Sequence, residues 1–347
     1  MKKPIAVVIT DTHLSDSTIE LNKSIFEQAT MLANSLGLNQ IEHLGDIFQS
    51  RKSQSQAVLT AFREILNNLH DREITLNCVV GNHDKVSYSE VDSFLDPFQD
   101  HIALNLYRFC GARFTKPANS LSSGNVGINY ASYFSDEQYI KMLQEKDKVD
   151  GFAERNILLT HIGCTGAVMN NGTKIESSIN SNLFSKYDLV LVGHYHDPQQ
   201  FDHIEYIGAA MQHNFGEGTQ KGATVIYDDL STELVPFTFP QYLKYEVDVK
   251  SMTTKDIDDL KKEKQNSQDH IRVILKGAEK DLKAFNSNSL REIGISVQLE
   301  QEKIDIEELE TRCEAFDSKT LTEEFEVFCK KNKLNHKEGL KYFNQIV

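Results

Sequence analysis

A chain of 347 residues is longer than one hydrophobic core usually serves, so a large domain with a smaller companion is the first expectation. Apolar residues at 39% and charged residues at 25% describe a soluble globular protein, and no apolar run nears the roughly 20 residues that span a bilayer. The net charge of −14 weighs against a simple nucleic-acid binder, and five scattered cysteines weigh against a disulfide framework or thiolate zinc site and for a reducing cytoplasm.

Ile5 to Ile9 is a short apolar run of the buried-strand kind, too short for the apolar core of a leader peptide. It ends in Thr10-Asp11-Thr12-His13. Asp11 and His13 are two apart, so on an extended segment they face the same side. Taken alone, the pair reads better as a polar loop with a capping carboxylate. Ile19, Ile25, Phe26, Ala29, Leu32, Ala33 and Leu36 form a helical stripe, closed by Gly37. Ile41 to Leu44 is a second strand, ending in Gly45-Asp46, and a helix follows from about Gln54 to Leu69. Ile74 to Val80 then leads into Gly81-Asn82-His83-Asp84, which sets an amide oxygen, an imidazole and a carboxylate at one strand end. The order β-α-β-α-β predicts parallel strands with crossover helices, and ligands in such sheets sit beyond the carboxyl ends of the strands.

Residues 85 to 155 are less regular. Ser89 to Phe98 reads as a short helix, Leu104 to Phe109 and Val126 to Tyr130 as strands, and Asp136 to Gln144 as a helix. Asn156 to Thr160 is an apolar strand closed by His161-Ile162-Gly163, and Tyr187 to Val192 is another, ending in Gly193-His194-Tyr195-His196. Ile204 to Ile207, Ala223 to Tyr227 and Leu234 to Phe239 are short strands that fit a second sheet packed on the first. Gly208 to Glu217, between them, reads as a surface loop. Beyond Tyr245 the composition turns Lys/Glu-rich. Helical runs at Lys255 to Lys264 and Glu279 to Phe285 flank a strand at Ile271 to Leu275, and Ile295 to Leu299 reads as a further strand, the pattern of a small α+β domain. Glu300 to Glu314 carries many acids and reads as a solvated linker or helix. Thr320 to Val347 reads as two amphipathic helices, with Leu321, Phe325 and Phe328 on one stripe and Leu340, Phe343 and Ile346 on the other.

The strand ends together supply Asp11, His13, Asp46, Asn82, His83, His161, His194 and His196. Each alone has a structural explanation, but the set needs five coincidences in one topological position. Two divalent ions bridged by a carboxylate need about seven protein ligands, which leaves one histidine to protonate a leaving oxygen. Such hardware suits phosphate ester hydrolysis. A thiolate-free nitrogen and oxygen set fits Mn, and permits Mg, Fe or Zn.

The series Asp11-x-His13, Gly45-Asp46, Gly81-Asn82-His83-Asp84, His161 and Gly193-His194-x-His196 resembles the calcineurin-like metallophosphoesterases, from residue 5 to about 228. The resemblance implies an α/β fold, a four-layer α/β/β/α sandwich. It implies that Asp11, His13, Asp46 and His196 hold one ion and that Asp46, Asn82, His161 and His194 hold the other. Asp46 would bridge, and His83 would be the general acid. Tyr206-Ile207-Gly208-Ala209, Phe215-Gly216-Glu217 and Lys221-Gly222 are similar to the SbcD-type nuclease subunits of DNA repair and recombination. That likeness implies a nuclease domain at 1–244, a small α+β capping domain at 245–303, and a linker and C-terminal helical segment at 304–347 that binds an SbcC-like coiled-coil ATPase. It also implies DNA as substrate and a homodimer, with the Gln54 to Leu69 helix a candidate dimer face unless its stripe is core.

Two positions depart from the pattern. Gln49 stands where relatives usually carry His or Asp, and an amide cannot relay a proton. Ala209-Ala210 stand where the nuclease group usually has Ser-Pro. Arg51, Lys52 and Lys85 follow two of the ligand motifs and are candidates for DNA phosphate contacts, or are ordinary surface cations. The acidic charge favours a second function somewhat: a free-standing metallophosphoesterase acting on nucleotides or small phosphate esters.

Overall fold

The computed structural model describes residues 2–115, 126–145, 153–169, 172–301, 325–326 and 329–330. In chain order the first elements are β1 (Pro4–Ile9), α1 (Ile19–Ser35), β2 (Gln40–His43), α2 (Gln56–Asp71), β3 (Thr75–Val79) and β4 (Leu104–Tyr107). Next come β5 (Cys110–Thr115), β6 (Val126–Ala131), α3 (Asp136–Glu145), β7 (Arg155–His161), β8 (Leu189–Gly193), β9 (Gln199–Phe201), β10 (Ile204–Tyr206), β11 (Gly222–Tyr227) and β12 (Thr232–Pro236). Two six-stranded sheets result, in the orders β12-β11-β1-β2-β3-β4 and β5-β6-β7-β8-β10-β9. The strands β1 to β4 run parallel, as do β6, β7, β8 and β10.

Alternation along the strands explains the layering. Ala6, Val8 and Leu44 from one sheet meet Ile128, Leu159 and Leu191 from the other in a shared inner core. The opposite faces pack outward. Val7, Ile9 and Ile41 bury the stripes of α1 and α2, and Leu158, Val190 and Val192 bury α3. The result is a four-layer α/β/β/α sandwich. A charged contact crosses the inner core: Arg113 pairs with buried Glu42, which also accepts from Tyr130 Oη at 2.7 Å. The α2 helix is capped by Ser55, whose Oγ accepts from Val58 N at 3.1 Å. Its stripe of Val58, Phe62, Ile65, Leu66 and Leu69 is core, so that stripe is not the dimer face entertained above.

Several expectations are corrected. Ser89 to Phe98 is not a helix beyond a 3-10 turn at Asp96–Phe98. Ser93 and Asp96 bond the local main chain instead, with Ser93 N donating to Asp96 Oδ2 at 3.0 Å and Leu95 N to Ser93 Oγ at 3.2 Å. The strand read from Leu104 to Phe109 ends at Tyr107, and Cys110–Thr115 begins the second sheet. Of the three short strands assigned to that sheet, only β10 joins it. β11 pairs antiparallel with β1, and β12 pairs antiparallel with β11, both in the first sheet. The supposed surface loop Gly208 to Glu217 is largely inside: Gly208 to Gln212 and Glu217 are buried. It is stitched across the strand ends, Ala209 N donating to His196 O at 2.9 Å and Ala210 N to Thr10 O at 3.0 Å.

The chain divides into two compact units. The first holds Met1–Lys244 with Lys262–Arg272, and the second holds Tyr245–Lys261 and the described residues from Val273 onward. The remaining elements are β13 (Tyr242–Asp248), α4 (Thr254–Asn266), β14 (His270–Gly277), α5 (Glu279–Ala284), α6 (Asn288–Arg291) and β15 (Ser296–Gln301). Their strands form one sheet, β13-β14-β15. The linker expected beyond Gln301 and the terminal helix pair lie outside the described residues, apart from Phe325, Glu326, Cys329 and Lys330, which are helical.

Candidate dinuclear metal centre

Each of the five motifs leaves the carboxyl end of a parallel strand or its connecting turn, and the turns are sharp. Asp11, His13, Asp46 and His194 adopt φ values of 51°, 46°, 56° and 96°, a left-handed region that residues with a Cβ rarely enter. Strain of this kind persists where surroundings enforce it, and it clusters at functional sites. The turns also pack closely on one another. A Cβ on Gly81 would come within 2.2 Å of both the amide nitrogen and Oδ1 of Asp46. Asp84, last in its motif, binds the second and third turns together. Its carboxylate accepts from Asp46 N at 2.8 Å, Gly81 N at 2.9 Å and Phe48 N at 2.9 Å. Burial, and then the charge of Asp46, still push Asp84 up to about 7.

The eight expected residues converge. Asp46 Oδ2 lies 3.4 Å from His161 Nε2 and 3.9 Å from His13 Nε2, facing both. Asn82 Oδ1 is 3.0 Å from His161 Nε2 and 2.9 Å from His194 Nδ1. His13 Nε2 and His196 Nε2 stand 3.1 Å apart, and Asp11 Oδ1 is 3.7 and 3.8 Å from them. Donor atoms of Asp46, His161 and His194 all fall within 4.8 Å of one another, as do those of His13, Asp46 and His83.

The hydrogen bonds test whether this set fits cations. His161 Nδ1 donates to Leu44 O at 2.7 Å, which leaves its Nε2 lone pair facing the Asn82 oxygen. His196 Nδ1 donates to Glu217 Oε1 at 2.8 Å, leaving its Nε2 inward. Asp11 Oδ2 accepts from Thr10 Oγ1 at 2.7 Å and His194 N at 2.9 Å, whereas its buried Oδ1 has no partner. Lone pairs aimed at lone pairs, with an orphaned carboxylate oxygen among them, need positive charge between them. The residues fit a pair of divalent ions.

Protons and cations compete for these groups. Burial alone would keep both uncharged, but Asp46 and Asp11 lift His161 to about 9, so a cation must displace the proton on its Nε2 to use that lone pair, and His161 holds Asp46 below the usual carboxylate range. Burial keeps His13 well below its ordinary value and His194 at about 3, so both imidazoles are neutral donors. Asp11 is pushed up by burial.

His83 borders the cluster, its ring edge-on to His13 at 4.7 Å. Its Nδ1 donates to the main-chain oxygen of Gln49 at 2.6 Å, and its Nε2 accepts from Arg51 Nη2 at 2.8 Å. Arg51 is exposed and also donates to Tyr88 Oη, and Lys52 is exposed on the same loop. An opening of about 410 Å³ over the centre is lined by Arg51, His83, Met169, His194 and Tyr195 among others. Lys85 is a correction. It is fully buried, its Nζ bonded to Glu90 O at 2.9 Å and 3.2 Å from the centroid of the Phe134 ring, so it cannot meet a phosphate here.

Sequence reasoning missed a supporting layer. His213 donates from Nε2 to Asp11 O at 2.7 Å, and one of its ring nitrogens lies within 4.8 Å of donors on His13 and His196. Glu217, besides holding His196, accepts from His213 N at 3.1 Å and Asn214 Nδ2 at 2.7 Å. Buried Lys221 bonds His196 O and Asp197 Oδ1. All three lie in or beside the segment taken for a surface loop. The available signal was the Phe215-Gly216-Glu217 and Lys221-Gly222 runs, read there only as likeness.

A two-sheet sandwich with an Asp, His and Asn cluster at its strand ends defines a metal-dependent hydrolase of phosphate esters. The chain belongs to the calcineurin-like phosphoesterase superfamily, whose domain model matches residues 5–227. It is similar to exonuclease subunit 1 of Enterobacteria phage T4, with 24% identity over 304 residues, 84% of each chain. Among solved structures it is similar to a dimetal phosphatase from Danio rerio, with TM-score 0.41 and 13% identity over 65% of this chain and 93% of that one. It is also similar to the calcineurin-like phosphoesterase YfkN from Bacillus subtilis, with TM-score 0.38 and 12% identity over 68% of this chain and 89% of that one. Among the described residues no helix is long and apolar enough to cross a membrane.

Proposed function

We propose that this protein is a two-metal DNA nuclease subunit that hydrolyses phosphodiester bonds, working with an SbcC-like ATPase in repair or recombination. The observation that carries the reading is the convergence of seven nitrogen- and oxygen-bearing side chains, Asp46 among them, at the strand ends, in a chain that aligns along 84% of its length with an exonuclease subunit. Asp11, His13, Asp46 and His196 would hold one ion, and Asp46, Asn82, His161 and His194 the other. The ions, Mn by the donor chemistry with Mg, Fe or Zn admissible, would acidify a water and offset charge building on the phosphoryl group.

The protein's own groups do the rest. His83 presents Nε2 toward the opening and is placed to hold a proton for the leaving oxygen. Arg51 occupies that nitrogen. A phosphate entering the opening offers the guanidinium a stronger, charge-assisted partner and would free the imidazole. Lys52 is a second candidate for backbone phosphate. The segment at 304–347 is proposed to bind the ATPase, and 245–303 to act as the capping domain.

The net charge of −14 supports a second reading, a free-standing enzyme for nucleotides or small phosphate esters. An assay with Mn on linear and single-stranded DNA, with and without a candidate ATPase, separates the two. Cleavage of DNA is expected. Turnover confined to small esters would contradict the nuclease reading.

A further inference from the structure

A cleft of about 670 Å³ opens beside the centre, with His13, His83 and His196 on one side. Its other side carries Tyr242 and His270, groups that hydrolysis does not use. The two rings are stacked, with centroids 4.3 Å apart and planes 18° from parallel. Phe215 backs Tyr242 edge-on at 5.0 Å and 87°, and the Arg272 guanidinium lies 4.0 Å from the Phe215 centroid. All four residues belong to the first unit.

The main chain fixes this wall in place. Tyr242 N donates to Oε1 of buried Gln212 at 3.0 Å, His270 N to Gln241 O at 2.7 Å, and Gln241 N to Asp269 Oδ1 at 2.6 Å. His270 is exposed apart from its contact with Tyr242, so a preformed aromatic surface faces the cleft. Among the described residues that line the cleft there is no Lys or Arg, so it does not suit a further phosphate. Instead Gln268 lines the cleft with an amide that can both donate and accept toward a neutral heterocycle's edge, while the Gln212 and Asn214 amides are engaged by Glu217, Tyr242 and Gly216 and hold the wall rigid. A volume of this size admits a nucleoside with its water.

We propose that the cleft takes the nucleobase of a nucleotide next to the phosphodiester being cut, stacked on the His270–Tyr242 pair. The proposal rests on the nuclease reading above. Stacking on a π-face is tolerant of base identity, so it would add grip on the strand without reading its sequence.

The test uses the full chain loaded with Mn and two single-stranded oligomers, one intact and one of the same length built from abasic residues. Wild type should show a KM at least about ten-fold higher on the abasic oligomer. His270→Ala should raise KM on the intact oligomer roughly ten-fold with kcat changed by less than about two-fold, and His270→Phe should restore it. On the abasic oligomer His270→Ala should lose nothing further. Equal KM values for wild type on both oligomers, an unchanged KM for His270→Ala on the intact one, or losses that simply add, would overturn the stacking proposal and leave the nuclease reading standing. Failure of wild type to cut either oligomer would overturn both.

Discussion

At His83 the orienting partner is a main-chain oxygen, so the departure at Gln49 matters less than its side chain suggests. Any residue at position 49 presents that carbonyl. Gln49→Ala is therefore expected to keep kcat within a few-fold, whereas His83→Ala should lower kcat by about 10²–10⁴ while binding metal normally. Turnover and metal stoichiometry measured on the same samples check both. Normal turnover in His83→Ala would remove it as the proton donor. Glu217 acts one layer further out, by aiming the His196 ring. Glu217→Gln should weaken metal binding by roughly 10–100-fold, read by competition against a chelator, because ligands that lose their second partner lose basicity and orientation. An unchanged affinity would make Glu217 a fold residue only. The ligands were legible in the sequence because each set follows directly on an apolar strand run. Glu217 and His213 were not, since their partners lie on turns far away in the chain.

The strand-end turns show what local pattern can and cannot convey. The runs Ile5 to Ile9, Ile74 to Val80 and Tyr187 to Val192 marked β1, β3 and β8 with nearly the right bounds. Which sheet a strand joins depends on partners elsewhere, so β11 and β12 were placed in the wrong one. The connection after β3 misled for another reason: Lys85 follows a ligand motif as a surface cation would, yet the chain folds it inward onto Phe134. Burial brings its pKa from 10.5 down to about 7. The unfolded chain then holds the extra proton between about pH 7 and 10.5, so stability rises with pH across that window, and the full penalty applies below it. The ring face and the Glu90 carbonyl offset part of the penalty. Lys85→Met should be more stable than wild type at pH 6–7, by about 1–3 kcal/mol, with the gap narrowing toward pH 10. Urea unfolding at both ends of the range checks this, and a gap that widens with pH would contradict it.

For the whole molecule, a net charge of −14 and a DNA substrate stand in tension, which bound divalent ions and a basic partner would ease. The parallel strands and their crossover helices followed from the β-α-β-α-β reading, whereas the four-layer order came from the family resemblance. The division of the chain was less legible: Lys262–Arg272, in a stretch read as part of the small domain, belongs with the first unit. The account depends on the strand-end groups holding two ions that share Asp46. Electron paramagnetic resonance during Mn titration tests that most directly. Two ions per chain with the spectrum of an exchange-coupled pair are expected for wild type, and loss of the coupled signal for Asp46→Ala. Uptake of one ion or none by wild type, or two ions with uncoupled spectra, would contradict it.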